Sequence, residues 1–408
     1  MDNLQRFLQF YKKGWNAFSN PQEDPLHIST YFAREQMKAL VLYTTSVERS
    51  LPYRSLWHSF MVLIVSLVFS AMCYGLTESL GDLVNLGRDL AFIIGAFFIY
   101  FKLVYFHWYA DGLDEVIDDL EACRHWLREG PGSAEARSVR HWHFLVMFLL
   151  LVVWSFFMGM FVILLDTSPL WVAQQSLPFH TIYPFEWHIK SKHPIAHALS
   201  YVTQVLVLSY ILIWLLVIES LSLSIYFEIT SAIKVLCIGL RHLPEKCHGD
   251  SKLLNREVIR LVGFHRKIIS ILDRTNEVFH GTLKMQVIVN LFLVTLSVFQ
   301  ALVARKDPKV ALQFGVLMLL ALGHLSMWSK FGDLVSHESL DIAQAAYEAY
   351  DPCSGCDRVN RDLCFIIQKA QYPMQMRASP FPAFNLINYS AILHQCYSIL
   401  TLLLNTMD

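Results

Sequence analysis

Apolar side chains fill long, unbroken stretches of this chain instead of alternating with polar ones at short intervals. Seven stretches approach the ~20 apolar residues that a helix needs to cross a bilayer. They are Trp57–Tyr74, Leu90–Trp108, Phe144–Leu165, Leu199–Ile218, Met285–Val303, Val310–Met327 and Phe384–Leu404. The pattern therefore predicts an all-α fold, a polytopic membrane protein with seven transmembrane helices.

The last stretch carries one face that repeats at helical spacing. Leu393, Tyr397, Leu400 and Leu404 follow one another at intervals of four, three and four residues, which places them on the same side of a helix. Two interpretations stay open on this pattern alone. The helix is either packed by lipid and its neighbours, or it lines a pore that a hydrophobic constriction gates.

Composition supports the membrane assignment. Of the 408 residues 54% are hydrophobic and only 16% are charged, whereas a soluble domain usually has about a quarter charged residues. The formal net charge of −1 implies no attraction to nucleic acid. The N-terminal segment lacks an apolar core with a small-residue cleavage site, so we expect the first span to act as its own insertion signal.

The distribution of basic residues predicts the orientation. The N-terminal segment and the loops after spans two, four and six hold 26 of the 33 Lys and Arg residues, and the alternate loops hold six. By the positive-inside rule the N-terminus is cytosolic and the C-terminus is extracellular. This orientation is the reverse of that of a G-protein-coupled receptor. The remaining basic residue, Lys102, lies within the second span, where we expect it to extend along the helix towards an interface.

Several connecting segments have patterns of their own. Leu113, Val116, Ile117 and Leu120 predict an amphipathic surface helix before a linker, PGSAEARS, that begins at Pro131. A continuous helix from about Leu199 to Leu243 would extend well beyond the membrane, and its apolar faces predict buried contacts there, including contacts between subunits.

The segment 166–198 combines aromatic residues and prolines with four histidines, and it favours a lid over a zinc site. Cys353 and Cys356 have no second pair nearby, so no metal site is predicted. No catalytic or cofactor motif is present, and we expect no enzyme activity and no cofactor.

Three C-terminal blocks resemble those of insect odorant receptors. They are FGDLVSHESLDIAQAAYEAY, RDLCFIIQKAQYPMQMRASPF and CYSILTLLLN. The stretches LPFHTIYPFEWHIKSKHPIAHALSYV and SLSIYFEITSAIKVLCIGLRHL are similar to the ligand-tuned receptors of flies and mosquitoes. The chain also lacks the long insertion between spans four and five that marks the co-receptor.

The resemblance implies an olfactory, ligand-gated, non-selective cation channel in the plasma membrane of a sensory dendrite. Four subunits, tuned ones and co-receptors, would surround one pore in membrane lipid. Leu400 and Leu404 match the family's gate, and Tyr397-Ser398 its Tyr-Ser pair. The expected division is a cytosolic segment 1–56, six spans in 57–330 with a cytosolic extension 219–284, an anchor 331–379 and a pore helix 380–408.

The resemblance also implies a pocket for a small apolar volatile in the outer half of the membrane, between spans two, three, four and six. Helical faces give its candidate residues: Phe92, Gly95, Ala96, Ile99, Ser155, Met158, Gly159, Val162, Tyr201, Gln204, Val205, Leu208, Phe314, Leu317, Met318 and Ala321. A gustatory receptor is the nearest alternative. A G-protein-coupled receptor, a secondary transporter and an intramembrane enzyme follow in that order.

Overall fold

The computed structural model describes residues 52–81, 83–171, 176–247, 250–303, 308–350, 357–377 and 379–405, with a few single positions between 9 and 46. From residue 52 onward the described chain is helical and contains no β-sheet. Its ten α-helices are α1 Pro52–Ser79, α2 Leu83–Trp108, α3 Ala110–Cys123, α4 Ser133–Trp171, α5 Pro194–Arg241, α6 Leu243–Cys247, α7 Ser251–Val303, α8 Pro308–Glu348, α9 Asp357–Ala370 and α10 Leu386–Asn405.

Seven of these helices are long and apolar enough to cross a membrane, namely α1, α2, α4, α5, α7, α8 and α10. Each contains one of the seven predicted spans, so the predicted fold class is confirmed. The helices are longer than the predicted spans because backbone hydrogen bonding continues into amphipathic sequence that a hydropathy criterion excludes. Pro194 and Pro308 stand at the first positions of α5 and α8, where a missing backbone N–H costs nothing.

Two predictions for the segment after α2 have different outcomes. The amphipathic helix is confirmed as α3, which buries Leu113, Val116, Ile117 and Leu120. The predicted linker is too long, because Ser133 already begins α4. Gly130 and Gly132, with φ of 89° and 80°, adopt the left-handed conformation that lets the chain turn into this helix.

The bundle has two distinct ends. The connection 176–193 between α4 and α5 lies at one of them, called here the loop end. At the other, the extension end, α5 is buried at almost every position from Val217 to Leu240. A helix with apolar side chains all round is stable only when it is surrounded, and α4, α7 and α8 enclose it. The Tyr226 ring, for example, lies 5.8 Å from the rings of both Phe279 and Trp328.

This packing satisfies the apolar faces of α5 within one chain. The predicted contacts between subunits are therefore not needed to bury that helix. Exposed apolar side chains at the extension end lie instead on α8, on α9 and in the segment after it, at Leu340, Tyr347, Phe365 and Tyr372.

The chain returns to the bundle through a segment that joins α9 to α10. Asn276 of α7 fixes this segment at two points. Its Nδ2 donates to the Gln375 carbonyl oxygen at 2.9 Å, and its Oδ1 accepts from the Arg377 N–H at 3.2 Å. The segment then passes so close to Gly332 of α8 that a side chain there would meet the Phe384 carbonyl. The start of α10 is thus positioned by α7 and α8.

Two glycines of α8 provide a matched test of this close approach. A methyl group at Gly332 would collide with the Phe384 backbone, whereas nothing lies within 4 Å of the corresponding position at Gly323. We expect Gly332→Ala to lower the free energy of unfolding by about 1–3 kcal/mol, as overpacking does. Gly323→Ala should be neutral or stabilising by up to ~1 kcal/mol, because alanine favours the helix. Thermal unfolding of the purified protein in detergent measures both, and equal effects would contradict the close approach.

Candidate functional site: an apolar cavity beneath the loop

A cavity of about 170 Å³ lies between α1, α2, α4, α5, α7 and α8. Its wall is made almost entirely of aliphatic and aromatic side chains. Polar atoms come only from Asn290, His324 and the Trp154 indole among the lining residues. An enclosed apolar space of this kind suits a small hydrophobic molecule that is held mainly by burial.

The structure brings part of the candidate pocket together. Candidate residues that line the cavity are Phe92, Gly95, Ala96 and Ile99 of α2, Met158 of α4, Leu208 of α5, and Leu317 and Ala321 of α8. The α2 face was therefore placed in the right phase. Candidates outside the lining are Ser155, Gly159, Val162, Tyr201, Gln204, Val205, Phe314 and Met318. Periodicity alone could not place the correct faces of α4 and α5, because all sides of these helices are apolar.

Sequence reasoning missed two walls of the cavity. Helix α1 contributes Val65, Val68, Phe69 and Met72, and α7 contributes Val289, Asn290 and Leu293. The apolar residues of α1 look the same whether they face lipid or a cavity. Asn290 in an otherwise apolar stretch of α7 was the only available signal.

Gln204 secures the loop that covers the cavity. Its Nε2 donates to Thr181 Oγ1 at 2.8 Å and to the Tyr183 hydroxyl at 3.2 Å, and its Oε1 accepts from the Phe179 N–H at 3.0 Å. Phe179 itself lines the cavity and packs edge-on against Phe92, with 5.8 Å between ring centroids. The predicted lid is present, and the predicted pocket residue Gln204 positions it.

A second polar cluster ties the same loop to α1 and α2. The Asp89 carboxylate accepts from Ser79 Oγ at 2.6 Å, from Arg88 Nε at 3.1 Å and contacts His180 Nδ1 at 2.6 Å. Glu78 lies 3.5 Å from the other His180 ring nitrogen. The hydrogen bond to Asp89 raises the pKa of His180 above its ordinary value of 6.5, since it favours the charged ring. The other histidines of the segment do not join this cluster, and no group of three metal-ligating side chains occurs among the described residues.

A buried ion pair lies at the opposite end of the cavity. Lys102 Nζ bonds to Glu219 Oε1, and both side chains are at least nine-tenths buried. Trp328 Nε1 donates to Glu219 Oε2 at 3.1 Å and also to His324 Nε2 at 3.2 Å. The expectation that Lys102 extends towards an interface is therefore wrong. A partner within reach on α5 makes burial of the ammonium less costly than exposing its stem would be.

Helix α10 offers little buried surface within the chain. Only Ile392 and Cys396 are buried among its described residues. Tyr397 is 66% exposed, and Leu393, Leu400 and Leu404 are partly exposed. The candidate gate residues thus lie on a face that the described chain does not cover.

Comparison with known proteins agrees with this architecture. A family model described as the 7tm odorant receptor matches residues 82–397. Putative odorant receptor 65c of Drosophila melanogaster is 58% identical over 406 residues, which cover 100% of this chain and 99% of that protein.

The solved structure of the olfactory receptor OR5 from Machilis hrabei superposes with a TM-score of 0.76 at 12% identity, covering 91% of this chain and 98% of that one. Its complex with eugenol gives 0.71 at 13% identity, covering 93% and 100%.

Fold and cavity together define a seven-helix integral membrane receptor. The chain belongs to the odorant receptor family, and its relatives are receptors and not enzymes.

The His180–Asp89 contact predicts a pH dependence of the loop. Because the folded-state pKa of His180 is raised, the contact is complete below pH 6.5 and is lost as the pH rises through the raised pKa. We expect hydrogen exchange in residues 176–183, corrected for its intrinsic pH dependence, to quicken over that interval. Asp89→Asn should remove this dependence, and an unchanged pH profile in that variant would contradict the assignment.

Proposed function

We propose that this chain is the odorant-binding subunit of a ligand-gated, non-selective cation channel and that it assembles with the odorant co-receptor. The observation that carries the proposal is the enclosed apolar cavity beneath the loop. A family relative with this fold has been solved in complex with eugenol, a small molecule of the size class that such a cavity takes. Detection of small volatiles at the dendrite of an olfactory neuron is the corresponding physiological role.

The charge distribution supports one orientation of the bundle. Basic side chains are concentrated in the N-terminal segment and towards the extension end, which places that end in the cytosol by the positive-inside rule. The C-terminus and the loop end then face outwards. In this orientation the cavity lies in the outer part of the membrane, directly below the lid. The segment 331–379 lies in the cytosolic anchor, where its exposed apolar residues are available to other subunits.

The uncovered face of α10 is the proposed pore lining. Four copies of the helix around an axis would bring Leu400 and Leu404 together as a hydrophobic constriction, with Tyr397 one turn away. Such a constriction blocks ions because it excludes water, and a small dilation is enough to wet it.

Helix α8 is suited to connect the cavity to the pore. It lines the cavity through Leu317 and Ala321 and carries Gly332, against which the segment before α10 packs. A ligand opens the channel only if it binds the open packing better than the closed one. A shift of α8 on binding would move the start of α10 directly, because the contact at Gly332 leaves no slack.

Cavity occupancy can be tested by filling the space from α2. Ala96→Phe places a ring in the cavity, so the half-maximal concentration of effective odorants should rise about tenfold or more, equivalent to at least ~1.4 kcal/mol. Val205→Phe is the matched control, since Val205 lies outside the lining. The measurement is odorant-evoked current in cells that also express the co-receptor. Equal losses in the two variants would argue against this cavity as the odorant site.

The gate can be tested within one helix. Leu404→Ala should raise the basal current because the constriction becomes wider and wets more easily. Leu402→Ala removes the same atoms from a side chain that is 64% exposed on the opposite face of α10, and it should leave basal current unchanged. No difference between the two variants would contradict the gate.

Subunit class is tested by recording whole-cell current from this chain alone, with the co-receptor, and with the co-receptor under G-protein blockade. A rapid cation current that needs the co-receptor and survives the blockade supports a tuned channel subunit. Loss of the current under blockade would favour a G-protein-coupled mechanism. A full response from the chain alone would favour a gustatory-type channel.

A further inference from the structure

Two aromatic side chains bring N–H groups to one end of the otherwise apolar cavity. Trp154 of α4 and His324 of α8 both line it, and their rings stack with 5.2 Å between centroids. The stacking places both N–H groups at the end nearest the Lys102–Glu219 pair. This end differs chemically from the remaining wall, which is aliphatic and phenyl apart from Asn290.

Trp154 has an unsatisfied donor. Its Nε1 is buried and has no hydrogen-bond partner among the described residues. Indole N–H is a donor only, so it can be satisfied only by an acceptor. Leaving such a group unpaired costs about 1–3 kcal/mol, and the adjoining cavity is the space from which an acceptor can come.

His324 presents a second donor. Its Nε2 accepts the Trp328 N–H at 3.2 Å, and an imidazole nitrogen that accepts a hydrogen bond carries no proton. A neutral ring therefore carries its proton on Nδ1. That nitrogen has no hydrogen bond to any described residue, and it is the one left for the cavity. Asn290, by comparison, already uses its Nδ2 to donate to the Gln286 carbonyl at 2.8 Å.

The charges around this end are already balanced. Lys102 and Glu219 compensate each other at contact distance, so the site has no net charge when His324 is neutral. A ligand that brought a charge into this apolar space would lose its hydration without gaining a counter-ion. The site therefore favours an uncharged ligand.

We propose that this end of the cavity is a polar subsite that selects neutral volatiles with a hydrogen-bond-accepting carbonyl oxygen, such as esters, aldehydes and ketones. Trp154 Nε1 and His324 Nδ1 donate to that oxygen, and the hydrocarbon part occupies the apolar remainder. Glu219 acts as a positioning residue, because it holds Trp328 against His324. The inference rests on the proposed odorant-binding role of the cavity and adds the ligand class.

The test compares two probes of similar size, methyl hexanoate and octane, for binding to the full-length purified protein in lipid nanodiscs. We expect the ester to bind the wild type about three- to tenfold more tightly than the alkane, as one or two hydrogen bonds provide. Trp154→Phe and His324→Leu should each reduce this preference and leave octane affinity within about twofold. His324→Asn, which keeps an N–H donor near the Nδ1 position, should retain most of the preference.

Both donor deletions are chosen to leave the surrounding structure intact. Phenylalanine keeps an aromatic ring at position 154 for stacking on His324. In His324→Leu the Trp328 N–H still has Glu219 Oε2 at 3.1 Å, so no buried group loses its last partner. Infrared spectroscopy of the bound ester, labelled with ¹³C at its carbonyl, needs no variant. Its stretching frequency should be lower than that of the ester in hydrocarbon solvent.

Specific results would overturn the subsite. They are an ester carbonyl with the frequency of hydrocarbon solution, equal loss of ester and octane affinity in the donor variants, a gain in affinity for heptanol but not for the ester, and no binding of either probe to the wild type. Failure of the proposed cavity function is distinguishable, because both probes would then bind equally well to the cavity-filling variant Ala96→Phe.

Discussion

The buried pair Lys102–Glu219 is the interaction on which the upper architecture of this receptor depends. It joins α2 to α5, and through Trp328 and His324 it includes α8. Breaking such a pair leaves a buried charge and typically costs 3–5 kcal/mol or so. The three helices therefore have little freedom to separate at this level, and the space above the pair is kept open by helices whose spacing is set below it.

This arrangement explains how one chain can contain both a tightly packed region and a cavity. Towards the extension end α5 is enclosed on all sides, and aromatic rings such as Tyr226 and Trp328 fill the space around it. Towards the loop end the side chains that face inwards are smaller, including Gly95 and Ala96, and the helices do not close over them. The loop then seals the space because Gln204 satisfies three of its polar groups.

The same contrast suggests where motion can occur. Packed regions with ion pairs and interlocked rings resist deformation, whereas a cavity wall of weak apolar contacts can adjust at low cost. Helix α8 belongs to both regions and also contacts the segment that leads into α10. A local rearrangement at the cavity would therefore be transmitted by a rigid element and not by a chain of small displacements.

Much of the fold could be predicted from the sequence alone. Seven apolar stretches, the amphipathic helix α3 and the helical continuation of α5 below the membrane all follow from local periodicity, since a bilayer forces the backbone to satisfy its own hydrogen bonds. The C-terminal motifs pointed to the family, and the α2 face of the cavity was found because Gly95 and Ala96 interrupt a run of larger residues.

What only the tertiary structure decided is how the helices face one another. The contributions of α1 and α7 to the cavity, the use of Gln204 as a support for the lid, and the pairing of Lys102 with Glu219 all join residues that are distant in the chain. An apolar side chain has the same local pattern whether it meets lipid, a neighbouring helix or a cavity. The sequence by itself therefore determined which segments span the membrane, and long-range packing determined which of their faces form the site.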